Sequence, residues 1–174
     1  MKNSKKESRY IRLFEQLMEL CTKQGTPLSR MATIAAVLHH KMEHFFWTGF
    51  YLLEEGDLCV GPYQGPVACQ VLEKSKGVCW EAVERDSAVI VPDVSHFPGH
   101  ISCDPRSKSE ITLPVKDKKG SIMAVLDIDA KEVEMFDEVD EKMLKQIVSL
   151  VYNEPRGRWI NGLMSQEVDG SMSK

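Results

Sequence analysis

Cys103 lies within VPDVSHFPGHISCDPRSKSE (Val91 to Glu110), a long irregular stretch whose composition suits a working loop. Pro92, Pro98 and Pro105 interrupt helix and strand alike, and Gly99 opens backbone angles closed to other residues. The run from Gly99 through His100, Ile101 and Ser102 to Cys103 can therefore curl so that successive N–H groups converge, as in anion-binding nests. A thiol on the rim of such a nest, with His100, Arg106 and Lys108 near in sequence, would have its thiolate favoured, and the thiolate is the nucleophile. The alternative is a solvated loop carrying an inert cysteine.

Other residues could share that chemistry. Asp127 and Asp129 alternate with Leu126 and Ile128 in a strand pattern, so both carboxylates fall on one face and repel unless something positive sits between them. That partner could be a metal, a lysine or arginine, or the ammonium of a ligand; no histidine or cysteine stands at ligand spacing beside the pair, which argues against a metal. Cys79, at the start of a short helix, would feel the positive dipole end, which lowers a thiol pKa. Trp47 and Tyr51 share a strand face with Gly49 between them, a notch open either to a small ligand or to ordinary packing. Cys21 and Cys59 read as packing residues. His39, His40, His96 and His100 read as surface positions, with ligand binding the alternative for His96 and His100.

The elements that position these groups follow from periodicity and punctuation. Ile11, Phe14, Leu17, Met18 and Cys21, widened by Leu13 and Leu20, predict an amphipathic helix over about 5–23, ended by Gly25. Thr26 as cap and Pro27 in the first turn predict a second helix to about Met42 on the stripe Met31, Ile34, Ala35 and Leu38. A hairpin is expected from Phe45 through Glu55-Gly56-Asp57 to Val60, a turn at 61–66, and a short strand over 67–72 carrying Cys69. A helix over 78–85, a strand over 88–91 and, after the loop, a hairpin of strands 110–115 and 121–129 come next. A last helix capped by Asp137 should bury Val139, Met143, Leu144, Ile147 and Leu150 and run to about Asn153, before Pro155.

The chain's 174 residues, 43% of them hydrophobic, suffice for one domain over 1–154, with 155–174 as a tail that is partly apolar at first and polar at its end. A net charge of −4 supplies no electrostatic footprint for nucleic acid or an anionic membrane. The lack of a long apolar run or a signal-like start points to the cytoplasm, where five cysteines argue against a structural disulfide framework.

The element order, with the segments WTGFY (47 to 51), GPYQGPVAC (61 to 69), KGVC (76 to 79), the Val91 to Ile111 loop and VLDID (125 to 129), resembles the free methionine-(R)-sulfoxide reductases, a family with the GAF fold. The resemblance spans about residues 27 to 152. It implies an α+β fold with a central antiparallel sheet, N- and C-terminal helices on one face and a ligand pocket on the other. Within it Cys103 would be the nucleophile, Cys69 the principal recycling thiol and Cys79 a second candidate for exchange. Glu110, Asp127 and Asp129 would form an acidic clamp and Trp47 and Tyr51 the pocket wall. Backbone amides around Ile101, Ser102 and Cys103 would receive the sulfoxide oxygen. Trp80 and Phe46 depart from the family's usual residues at their positions.

The chemistry so implied is reduction of free L-methionine (R)-sulfoxide through a cysteine sulfenic acid and an intramolecular disulfide, with no cofactor or metal and with thioredoxin as the external dithiol. One of three clustered carboxyls would keep its proton as the acid, while the others hold the substrate's ammonium. A homodimer is compatible with the amphipathic terminal helices. The competing readings are a GAF sensor that binds a small ligand without turnover, or a thiol redox switch.

Overall fold

The structure, a computed structural model, describes residues 2–22, 25–100 and 103–152. Helix α1 (Lys2–Cys21) and helix α2 (Pro27–Lys41) precede strands β1 (Trp47–Glu54), β2 (Asp57–Gln64) and β3 (Val71–Leu72). Helix α3 (Gly77–Arg85), strand β4 (Val89–Val91), a 3-10 turn (Val94–His96), strands β5 (Ser109–Lys116) and β6 (Ile122–Ala130) and helix α4 (Glu138–Ser149) complete the order. The six strands form one sheet in the order β3-β2-β1-β6-β5-β4, every neighbouring pair antiparallel. The architecture is the expected α+β one, a single antiparallel sheet with helices. The expected tail at 155–174 lies outside the described residues.

Local chemistry accounts for most boundaries. Thr26 caps α2 by accepting from Ser29 N at 3.2 Å, Pro27 takes the first helical position, and the helix buries Met31, Ile34, Ala35 and Leu38 as its spacing predicts. The β1–β2 hairpin closes through Glu55 and Gly56, both at positive φ (52° and 90°), the conformation of a two-residue primed turn. Between β5 and β6, the Asp117 carboxylate accepts from Lys119 N (2.8 Å) and Ser121 N (2.9 Å), an Asx turn.

Helices α1, α2 and α4 cover one face of the sheet over a core that includes Phe50, Ile111, Leu113, Leu126 and Ile128. Helix α3 and the two long loops lie over the other, where Tyr51, Leu58, Trp80, Val89 and Val125 form a second core. Alternation along β1, β5 and β6 sends successive side chains to these two cores.

Four expectations change. The buried face of α1 is Tyr10, Leu13, Phe14, Leu17 and Cys21, while Ile11 (37%) and Leu20 (38%) are exposed. The helix is turned by Tyr10, whose hydroxyl donates to buried Asp140 at 2.7 Å. Strand β2 continues through 61–64 instead of turning, because a register shift opposite Gly49 and Tyr51 accommodates Pro62, which has no N–H to give. Only Val71 and Leu72 of the expected 67–72 strand pair with β2, so Cys69 sits in a loop. Helix α4 ends at Ser149, short of Asn153, and Val139 is only partly buried.

Asp140 is fully buried and fully partnered: Lys6 Nζ contacts its Oδ2, Tyr10 donates to its Oδ1, and Asp137 N donates at 2.8 Å to complete a capping box. Removing it would leave the Tyr10 hydroxyl buried without its acceptor and Lys6 with only the half-exposed Asp137 carboxylate, at 3.0 Å. Asp140→Ala is expected to cost about 2–3 kcal/mol, read as a lower urea midpoint at unchanged m-value, because a buried hydroxyl loses its acceptor, the ammonium loses one of two partners and the capping box is broken. A loss within experimental error would mean that Lys6 and Tyr10 reach solvent freely.

Candidate active site

The sheet register assembles the acidic residues. Glu110 on β5 stands opposite Asp129 on β6, which stands opposite Trp47 on β1. One step along, on the same face, Thr112 stands opposite Asp127, and Asp127 opposite Gly49. Three carboxyls from two adjacent strands thus share a patch with the indole of Trp47, and Tyr51 follows two residues further along β1. Because the period is two, a one-residue slip of β6 would send both aspartates into the opposite core.

Three segments close over this patch. Helix α3 is tied down by Thr112, whose hydroxyl donates to Val78 O at 3.3 Å, and it carries Cys79 onto the carboxyls. The 65–70 loop brings Ala68 and Cys69, and the 92–108 loop brings His100, Cys103 and Ser107. Cys69 and Cys103, 34 residues apart, are joined by a disulfide with Cα atoms 5.7 Å apart. The enclosed pocket, about 40 Å³, is lined by Trp47, Tyr51, His100, Cys103, Glu110 and Asp129 among others, and has room for a few water-sized groups. The amides of Ile101 and Ser102, expected to form the nest, lie outside the described residues.

Comparison with known proteins places this arrangement. The GAF domain family matches residues 15–152. The chain is 44% identical over 149 residues to GAF domain-containing protein A of Dictyostelium discoideum, covering 85% of this chain and 93% of that protein. It is 42% identical over 122 residues to the free methionine-R-sulfoxide reductase of Escherichia coli, covering 70% and 73%. Among solved structures, the free methionine-R-sulfoxide reductase of Neisseria meningitidis in complex with its substrate superposes with a TM-score of 0.80 at 32% identity, covering 84% of this chain and 87% of that one. The chain belongs to the free methionine-R-sulfoxide reductase family of GAF domains.

In this family member the pocket is electrostatically unbalanced. Glu110 (5% exposed) and Asp127 (7%) are buried, and no lysine or arginine among the described residues pairs with either, while Asp127 Oδ1 lacks any hydrogen-bond partner. Burial, then the Asp129 charge, holds Glu110 well above the usual carboxylate range; burial, then the Glu110 charge, does the same for Asp127. Asp129 is raised by burial and then by Asp127, against a hydrogen bond from Ser107. The site is therefore poised for protons or for a cation. Cys79 Sγ and one oxygen each of Glu110 and Asp127 lie within 4.8 Å of one another, a group able to ligate a metal ion.

Several expectations about individual residues are corrected. The Cys79 thiol is pushed up, not down: burial and the charges of Asp127, Glu110 and Asp129 outweigh the helix dipole. Arg106 is committed to Asp104 (Nη2 to Oδ2, 2.7 Å) and lies 4.8 Å over the Phe46 ring, and Lys108 Nζ donates to Pro105 O, so neither cation faces Cys103. The notch at Gly49 is full: a Cβ there would lie 2.3 Å from Tyr63 Cβ and 2.5 Å from the Trp47 ring. Gly49 thus admits the Trp47 indole, which stacks on Tyr63 (5.3 Å) and Tyr51 (5.8 Å) and donates to Pro66 O at 3.1 Å.

His100 was not separable from His96 in sequence, since both flank Pro98-Gly99. The structure separates them: the His96 side chain is 84% exposed, whereas that of His100 is 14% exposed with Nε2 3.5 Å from Glu110 Oε2. Burial lowers the His100 pKa, so it faces Glu110 as a neutral imidazole. In the sequence, His100 differs from His96 in standing three residues before Cys103.

A buried carboxyl raised in the fold keeps a proton that the unfolded chain releases above about pH 4, so its stabilising share is complete below that pH and is lost as pH rises toward the folded value. Asp127→Asn removes this loss. With EDTA present, its stability relative to wild type should rise steadily between about pH 5 and pH 8 in urea unfolding. A difference independent of pH would mean that Asp127 ionises normally in the native protein.

Proposed function

We propose that the protein reduces free L-methionine (R)-sulfoxide to methionine, with Cys103 as nucleophile and Cys69 as resolving thiol. The observation that carries this reading is the Cys69–Cys103 disulfide beside a pocket lined by Glu110 and Asp129, with Asp127 on the same sheet face. A sulfoxide sulfur becomes electrophilic as its oxygen accepts a proton. The Cys103 thiolate attacks, oxygen passes to the cysteine, and methionine departs as the thioether, leaving Cys103 as a sulfenic acid. The Cys69 thiol then displaces the sulfenic hydroxyl as water and forms the disulfide. An external dithiol of the thioredoxin class restores both thiols and is itself oxidised, so atoms and electrons balance without a bound cofactor.

The carboxyls supply selectivity. A free amino acid brings an ammonium that neutralises buried acids otherwise lacking a cation, whereas a peptide-bonded or N-acylated methionine leaves them unpaired. Trp47 and Tyr51 offer an apolar wall to the S-methyl end. Glu110, raised by burial and touching His100, is positioned as the proton donor to the departing oxygen, with the neutral His100 imidazole relaying the next proton from water, accepted at one ring nitrogen and released at the other. The pocket is too small for a whole amino acid while Cys103 is drawn to Cys69, which fits a product state that reduction must reopen. Cys79 is a second thiol within the family's set, but its raised pKa suits it poorly to rapid exchange.

With dithiothreitol present, free methionine sulfoxide is expected to be consumed catalytically and the N-acetyl form left intact, measured as methionine released. Cys103→Ser should abolish turnover. Cys69→Ser should release one equivalent of methionine and then stall when thioredoxin is the reductant. Substrate binding without consumption would instead identify a sensor, and near-normal turnover by Cys103→Ser would sink the assignment. His100→Gln is expected to lower kcat by roughly 10²-fold with little change in KM, since an amide keeps the contact but cannot carry the proton.

A further inference from the structure

Cys79, Glu110 and Asp127 are brought together from α3, β5 and β6, and each is buried. A cluster of acids alone would be unremarkable. Two observations set this one apart: a thiol completes it, and Asp127, 93% buried by its 7% exposure, leaves Oδ1 without a hydrogen-bond partner. We propose that Cys79, Glu110 and Asp127 form a binding site for a thiophilic divalent cation of the zinc class.

The donor set selects that class. Hard cations such as Ca²⁺ and Mg²⁺ take six or more oxygens, whereas a sulfur with two carboxylate oxygens suits a four-coordinate ion with water in the remaining position. Bond lengths of about 2.3 Å to sulfur and 2.0–2.2 Å to oxygen place ligand atoms roughly 3.5 Å apart around a tetrahedral ion. The three atoms already lie within 4.8 Å of one another, so modest side-chain rotation closes the site. The ion enters through the pocket, which shares Glu110, and ligation releases the protons held by the thiol and carboxyls to solvent. Once bound, it occupies two of the three acids and closes the pocket to an ammonium group. The site stands on this geometry alone and does not depend on the activity proposed above.

Cobalt(II) is the probe, added to the full chain with the Cys69–Cys103 disulfide intact so that neither of those sulfurs can ligate. One equivalent should bind with a sulfur-to-cobalt charge-transfer band. Cys21→Ser/Cys59→Ser should keep the band, because Cys79 is then the one thiol left of the five cysteines. Cys79→Ser should lose it, and Asp127→Asn should weaken cobalt binding by at least about tenfold. No band in the wild type, a band surviving in Cys79→Ser, loss of the band in the double variant, or wild-type affinity in Asp127→Asn would each overturn the proposal. The double variant keeps the test decisive even where Cys79→Ser does not fold.

Discussion

Everything at the site depends on burying Glu110 and Asp127, with the part-buried Asp129 beside them, without a lysine or arginine partner for the buried pair among the described residues. The same fold shows what the alternative looks like. Asp140, on the helical side of the sheet, is equally buried but receives Lys6, the Tyr10 hydroxyl and a backbone N–H, and it serves as a structural fastener between α1 and α4. Among the described residues Glu110 and Asp127 receive no lysine or arginine, and nearby cations are engaged elsewhere: Arg106 with Asp104, and Lys131 over the Phe46 ring. A polar cluster left unbalanced in a dry pocket costs stability and is retained where a ligand completes it.

The sheet and its aromatic wall make that imbalance possible. Antiparallel register places Glu110, Asp129 and Trp47 in one row and Thr112, Asp127 and Gly49 in the next, so the acids cannot swing apart without breaking the ladder. The stacked rings of Tyr51, Trp47 and Tyr63 keep one side of the pocket apolar, with Gly49 giving the indole its space. Cys69 and Cys103 come from irregular segments that lie above the sheet, where a side chain is less tightly held than on a strand. Cys79, on a helix and fully enclosed, lacks that freedom.

Much of this was legible in the chain. Helix α2 was readable to its cap and its four buried residues because Thr26, Pro27 and a clean helical stripe agree. The shared face of Asp127 and Asp129 followed from alternation, and the Cys103 loop from its prolines and glycine. Where single-segment patterns failed, a distant partner had intervened. The stripe read for the first helix left out Tyr10, whose hydroxyl has a buried acceptor in Asp140, and Pro62 looked like a turn until a bulge absorbed it. Cys69 looked like a strand residue but is held in a loop that reaches Cys103.

The sequence by itself determined which residues could carry reactivity and how they alternate along their elements, because periodicity and turn chemistry act over a few residues, and its motifs carried the family resemblance. Tertiary structure alone decided their electrostatics. It set His100 against Glu110 while leaving His96 in water, and it put the Cys79 thiol among carboxylates that outweigh its helix dipole. Charge, burial and proton affinity depend on everything within several ångströms, and most of those neighbours come from segments far apart along the chain.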